Sequence, residues 1–338
     1  MIWRVFSILL IGLIAGCIQS DDGKEVVVYT SLDQEFSEPI YKDYEKETGV
    51  KVLAKYDIES TKTVGLTAAL IAEANQPRCD VFWNNEILNT IRLERQGLLE
   101  VYVSPSAYPY PRFTKSGGGS WQGFAARARI LLVNTELVAK ENLPKSIFDL
   151  ANAQWKGKVA IAKPLAGTTA THVACLFATL GDERTKSFLT SLVENDIQVL
   201  GGNKQVAQAV ASGQVAFGLT DTDDAMIEVE KGAPVAIVYP DREEKQLGTL
   251  FIPNTVAIIK GCPHPAQAKK LIDYLLAPPV EEKLAAGGSA QIPLNPAVKT
   301  KARVETPATV KAMSADFEAA TQKWDVAQKF VKVIMAKE

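Results

Sequence analysis

Short apolar, β-branched runs alternate along this chain with longer stretches whose apolar residues recur every three or four positions. The first run, EVVVYTS at 25–31, has the composition of a strand buried on both faces. Ile40, Tyr41 and Tyr44 then stand at helical spacing, and Thr48-Gly49 closes that stretch before a second strand at 50–54. Further helices are predicted at 61–73, 87–96, 148–155, 170–180, 184–194, 205–212, 225–231, 265–276 and 280–286. Further strands are predicted at 79–83, 130–133, 158–161, 198–200, 216–219, 235–239 and 256–259. Residues 292–296 read as extended, and 310–337 as mostly helical and amphipathic. The longest irregular stretch, 104–119, is rich in Pro, Tyr and Ser. Strands alternating with helices imply βαβ units, hence an α/β fold on largely parallel sheet.

Four of these strands run straight into small polar residues and then a helix. The ends are Thr30-Ser31, Asn84-Asn85, Gly167-Thr168-Thr169 and Thr220-Asp221-Thr222. Asp33, Glu86, Asn203 and Asp223 sit at similar junctions, and Arg127 and Arg129 just precede the strand at 130–133. In open α/β sheets ligands bind beyond the carboxyl ends of strands, where helix N-termini offer unpaired N–H groups and partial positive charge. Capping is the simpler explanation for any single end, because Ser, Thr, Asp and Asn are the preferred caps. Four such ends, drawn from both halves of the chain, point instead to a pocket between two lobes.

The first twenty residues add an export signal. Arg4 precedes an apolar run at 5–14, too short to span a bilayer and of the right length for a signal h-region. IAGC at 14–17 resembles the bacterial lipobox, so residues 1–16 are expected to be removed and Cys17 to carry lipid. Residues 17–24 then form a short tether. The protein is expected outside the cytoplasmic membrane, periplasmic or at the cell surface, and held to a membrane by that lipid. Cys79, Cys175 and Cys262 remain, an odd number without CxxC spacing, which argues against a zinc site. The net charge is −2 with no basic run, so nucleic acid is not an expected partner.

Two chemistries compete for the pocket. Asp33, Glu86, Asp221, Asp223 and Asp224 are hard oxygen donors that suit a hard cation. Arg127, Arg129 and the helix N-termini suit a phosphate, phosphonate or carboxylate. A zwitterion would use both sets. Two histidines, His172 and His264, are too few for a His-rich zinc or manganese cage. Plainer roles are first-turn acids for 221–224 and an interlobe salt bridge for the arginines. Trp83 and Trp121 either stack on a ligand or belong to the core. No GxSxG, GxxxxGK[ST] or HExxH motif is present, so no enzyme is expected. A structural surface lipoprotein is the rival class, and the polar strand ends argue against it.

The segments VVYTS (27–31), TGVKV (48–52), CDVFW (79–83), GLLE (97–100), FAARARILLVNT (124–135), WKGKV (155–159), VAQAVASGQV (206–215) and PLNP (293–296) follow one another in a familiar order. Together they resemble the periplasmic solute-binding proteins of ABC importers, in the branch containing the bacterial ferric-ion-binding proteins. The resemblance implies a type II periplasmic-binding-protein fold of two α/β lobes, each a mixed, mostly parallel sheet flanked by helices, joined by crossing strands. It implies lobe 1 at 25–126 and 254–290, lobe 2 at 127–253, and C-terminal helices at 291–338 packing on lobe 2. It further implies a monomer that closes on a small solute or metal ion and docks on an ABC permease with its ATPase, with no cofactor beyond a metal ion as cargo.

Ferric-binding members place two adjacent tyrosines after the strand that here ends at Thr220, and the matching positions are close to Thr222 and Asp223. The family histidine of the first strand falls near Asp33, and the third-strand glutamate near Asn85, with Glu86 one residue on. The resemblance therefore implies Asp33, Glu86 and Asp223 as metal ligands without phenolates. Ferric iron or another hard cation is the first cargo expected. A phosphonate, organophosphate or other anionic or zwitterionic molecule is the alternative.

Overall fold

In the computed structural model, which describes residues 24–58 and 61–335, the elements follow strand–helix order. They are β1 (Glu25–Thr30), α1 (Gln34–Thr48), β2 (Lys51–Tyr56), α2 (Val64–Ala72), β3 (Val81–Asn84), α3 (Leu88–Arg95) and β4 (Trp121–Asn134). Then come β5 (Val159–Ala162), α4 (Gly167–Leu180), α5 (Asp182–Glu194), β6 (Gln198–Leu200), α6 (Asn203–Ala211), β7 (Phe217–Asp221), α7 (Thr222–Glu230) and β8 (Val235–Val238). The chain finishes with β9 (Phe251–Ile258), α8 (Pro265–Leu275), α9 (Pro278–Ala286) and α10 (Phe317–Met335). The signal segment, Cys17 and most of the tether lie outside the described residues.

The strand order is β2-β1-β3-β9-β4-β7-β5-β6, with β8 also on β4. The outer strands of each half pair in parallel: β1 with β2 and β3, and β5 with β6 and β7. The pairings made by β4 and β9 are antiparallel. β4 is the strand that joins the halves. Residues from Trp121 to Ala128 pair with β9, and from Arg129 onward with β7, with β8 joining from Leu131. A bulge at Phe124/Ala126, with Ala125 at φ 43°, bends it just before the change of partner.

β4 is buried along its whole length, whereas the apolar pattern predicts strand only at 130–133. Arg127 and Arg129 interrupt that pattern, and their burial rests on carboxylate partners that periodicity does not reveal. Beyond the crossing, Ala128, Ile130 and Leu132 join α6 residues Val206 and Val210 on one face, while Leu131 and Val133 join Phe217 and Phe177 on the other. Both faces of that sheet are covered, as its apolar strands require.

The helix stops read from the sequence are present. Gly49 takes φ 71° and donates its N–H to the Glu45 carbonyl, closing α1. The predicted helix at 148–155 is instead two 3₁₀ turns, Ile147–Ala151 and Ala153–Trp155. Of 310–337, only α10 is helical, and 297–316 holds no regular element. α10 packs along α4 and α5 and also reaches α3, where Arg92 lies 5.0 Å over the Trp324 ring and Arg95 pairs with Glu318. It therefore touches both halves rather than lobe 2 alone. Trp83 is fully buried against Tyr41 and Phe124, and Trp121 donates to Glu94, so both tryptophans are core.

Candidate functional site

The carboxyl ends of β1, β3, β5 and β7 all face the crossing of β4 and β9, and the helices that follow begin there. Four side chains predicted for the site are tied to one another around Arg129. Its Nη1 lies 2.7 Å from Asp221 and also donates to Thr168 and Asn203, while Nη2 donates to Thr169. Asp221 further accepts from the Thr168 hydroxyl at 2.5 Å and from Asn203 Nδ2 at 3.0 Å. Thr220 donates to the Asn203 carbonyl, and the Thr222 hydroxyl accepts from Ala128 N–H. These residues pin β4, β7 and the N-termini of α4 and α6 together. Asp221 and Arg129 are almost wholly inaccessible, and their charges pair, with Arg129 Nε left without a partner.

Asp223 and Asp224, in the first turn of α7, are different. Asp223 is paired with Arg127 Nη1 at 2.9 Å, and Arg127 also lies 3.9 Å from Asp221 and donates to Asn254. No ion pair neutralises Asp224 among the described residues. Asp221, Asp223 and Asp224 can bring one oxygen each within 4.8 Å of one another. Burial pushes Asp223 up to about 6, against the pull of Arg127 and with the charge of Asp221 adding to the rise. Burial and then the Asp223 charge push Asp224 well above the usual carboxyl range. On Asp33, burial acts upward, but the ion pair and hydrogen bond with Lys62 outweigh it and hold the carboxyl below its usual range. Arg127 and Lys204 add to that effect, so Asp33 faces the same gap from the opposite half.

Glu86 does not join them. Its carboxylate accepts from Leu88 N–H, Asn89 N–H, Asn84 Nδ2 and the Thr171 hydroxyl. It caps α3 and ties β3 to α4, so four donors already occupy the oxygens a metal would need. The expected trio Asp33, Glu86 and Asp223 thus reduces to Asp33 and Asp223, with Asp224 the third acid. His172 is buried in α4, where burial and the Arg129 charge lower it to about 3, a neutral imidazole behind the network.

Ser31 donates to Asp57 at 3.4 Å. Thr30 Oγ1 and Asn85 Oδ1 are buried with no partner. Gly167 N–H donates to the Lys62 carbonyl, and Lys204 pairs with Glu35 at 2.9 Å, so the two halves already touch across the gap. An open cavity of about 350 Å³ at its mouth is lined by Asp33, Glu35, Tyr56, Asp57, Lys204 and their neighbours. Asp57 and Lys62 escape the sequence reading. Asp57 follows the carboxyl end of β2, so the strand-end rule would have found it. Lys62 has no such signal and is placed only by the fold. Among the described residues, Asp33, Glu35, Asp57, Asp221, Asp223 and Asp224 stand around the gap with Lys62, Arg127, Arg129 and Lys204. Cys79, Cys175 and Cys262 are free buried thiols remote from this chemistry.

Comparison with known proteins gives a consistent picture. The profile of the bacterial extracellular solute-binding proteins matches residues 90–320. Iron uptake protein A1 of Synechocystis is 27% identical over 310 residues, covering 85% of this chain and 84% of that protein. Iron-bound HitA from Pseudomonas aeruginosa superposes with a TM-score of 0.83 at 21% identity, covering 92% of this chain and 99% of HitA. AfuA from Actinobacillus pleuropneumoniae, solved with fructose-6-phosphate bound, gives 0.83 at 24% identity over 93% and 99%. These likenesses establish the two-lobed fold, and the crossing strands β4 and β9 fit its hinge.

Proposed function

We propose, from the premise that this chain belongs to the bacterial extracellular solute-binding proteins, that it is the cargo-capturing lipoprotein of an ABC importer. The family is a non-catalytic component of transport. In this reading Cys17 carries the lipid, β4 and β9 act as the hinge between lobes 25–126 with 254–290 and 127–253, and the loaded form docks on the permease. The cargo is a hard cation, ferric iron first, as the names of relatives indicate for those proteins.

The observation that carries the cation reading is the uncompensated acid cluster. Two carboxylates, Asp223 and Asp224, are desolvated and mutually repelling, and the one close ion pair between them is that of Asp223 with Arg127. A buried charge without a partner is expensive, and a bound cation removes that expense. Asp223, Asp224 and Asp33 offer hard oxygens from both lobes, so binding favours closure. Titration calorimetry with ferric citrate tests this directly. Saturable heat with the parent protein, lost in Asp223→Ala, supports it, and an absence of heat refutes the iron assignment.

A second reading has its own observation. Tyrosinate ligands are missing, and Asn85 Oδ1 stands buried and unpaired, as a ligand with N–H or O–H donors would require. An organic zwitterion would set its ammonium on Asp223 and Asp224 and its anionic group toward Arg127 and the N-terminus of α4. Native mass spectrometry of the purified protein separates the two: a bound mass of a single ion supports the first, and an organic mass the second.

A further inference from the structure

We propose that Lys62 is a resident counter-ion of the cleft, whose ammonium a cationic cargo displaces to reach Asp33, Asp223 and Asp224. Lys62 then sets the least charge that a cargo must bring. The inference deepens the cation reading above and rests on it.

Lys62 stands between β2 and α2, on the same half as Asp33. Its Nζ pairs with Asp33, which lies where β1 gives way to α1. The two side chains are 14% and 22% exposed, so solvent ions screen the pair less than one at the surface. The Lys62 charge also reaches the acids of the other half. Burial is the largest influence on both Asp223 and Asp224, and it raises them. Against that rise, Lys62 is the leading cation on Asp224 and follows Arg127 on Asp223. One ammonium thus sits among hard oxygens drawn from both halves, the setting a bound hard cation requires.

The backbone beside that ammonium is fixed. Gly167 N–H, at the start of α4, donates to the Lys62 carbonyl at 3.0 Å, so the residue stands on the seam between the halves. The next residue, Thr63, is fully buried at φ 70°, a region that β-branched residues rarely adopt. Its hydroxyl accepts from Asn89 Nδ2, and its carbonyl accepts from the N–H and the hydroxyl of Thr67. Strain of this kind persists only where the surroundings over-determine it, and it gathers at ligand sites. The Lys62 ammonium itself rides on a flexible four-carbon stem, so it can leave while the backbone stays. Arg127 has no such freedom, because it is 2% exposed and is held by Asn254 as well as Asp223.

Displacement selects by charge. A monovalent ion in place of the ammonium leaves the net charge of the cluster unchanged. A divalent ion adds one positive charge and a trivalent ion adds two. The exchange therefore favours multivalent hard cations over sodium and potassium.

Titration calorimetry with ferric citrate compares the parent with Lys62→Met, which keeps the stem without its charge, and Lys62→Arg, which keeps a cation. Affinity should be at least about tenfold tighter in Lys62→Met, and no tighter than the parent in Lys62→Arg. Acetylation of Lys62 by acetic anhydride, followed by peptide mass spectrometry, reads the displacement in the parent itself. It should run several-fold faster with saturating ferric citrate than without. Unchanged or weaker affinity in Lys62→Met, with the parent still binding, overturns the inference and leaves the cation reading standing. A parent that gives no heat removes the cation reading and this inference together. Acetylation that cargo slows or leaves unchanged also overturns the inference, and that result needs no variant to fold.

Discussion

The two arginines of β4 stand two residues apart on the same strand and live in different worlds. Arg129 makes four contacts in a network with Asp221, Thr168, Thr169 and Asn203. Arg127 faces an acid cluster in which burial and mutual repulsion raise both Asp223 and Asp224. The Arg129 network is the more nearly saturated of the two, with Arg129 Nε left over, and it holds elements in place. An unsaturated one stores electrostatic cost that a ligand can relieve. The contrast separates scaffold from binding surface among residues that look alike in sequence.

The largest effect should come from breaking the more nearly saturated side. Arg129→Met leaves Asp221 buried without its cation and is expected to cost about 3–5 kcal/mol of stability, read as a lowered midpoint in denaturant. A variant as stable as the parent would show that the network is not the scaffold. Asp223→Ala leaves Arg127 only Asp221 at 3.9 Å as a counter-charge, so it should cost less stability than Arg129→Met, with roughly tenfold or greater loss of cargo affinity by calorimetry. A collapse of the fold in that variant would erase the distinction.

Acidity probes the same side. Asp223 binds its proton more tightly in the native state, about 6 against an ordinary 3.8, so the native state holds more protons in that window. Stability of the cargo-free protein should therefore fall as pH rises from about 4 to about 6. Cation affinity should rise over the same range, since the cargo competes with that proton. Melting curves that run the opposite way would remove the unsatisfied acid from the argument. Asn85→Ala should weaken binding by a few-fold, about 1 kcal/mol, with stability unchanged because its Oδ1 loses no partner. Lys204→Ala breaks a half-exposed pair with Glu35 and should shift affinity by less than about 1 kcal/mol.

Much of the architecture was open to reading in advance. The β-branched run at 25–31, the Gly stops at 49, 97 and 213, and the polar residues at strand ends each signal a local preference that the chain obeys. The length of β4 was not readable, because Arg127 and Arg129 look like surface residues until their carboxylates are placed. Glu86 was indistinguishable from Asp223 as an acid beyond a strand. Only the chain's path shows that four donors around α3 and Thr171 claim one, while Arg127 and the Asp224 N–H are what the other has.

What this sequence determines by itself is the order and kind of its elements and the stock of oxygen and guanidinium groups near strand ends, since these follow from neighbours within a few residues. What tertiary structure alone decides is which of those groups are spent on each other. That depends on contacts such as Arg129 with Asp221, 92 positions away. Charge balance in a buried space is a property of the whole set brought together, and no local pattern encodes it.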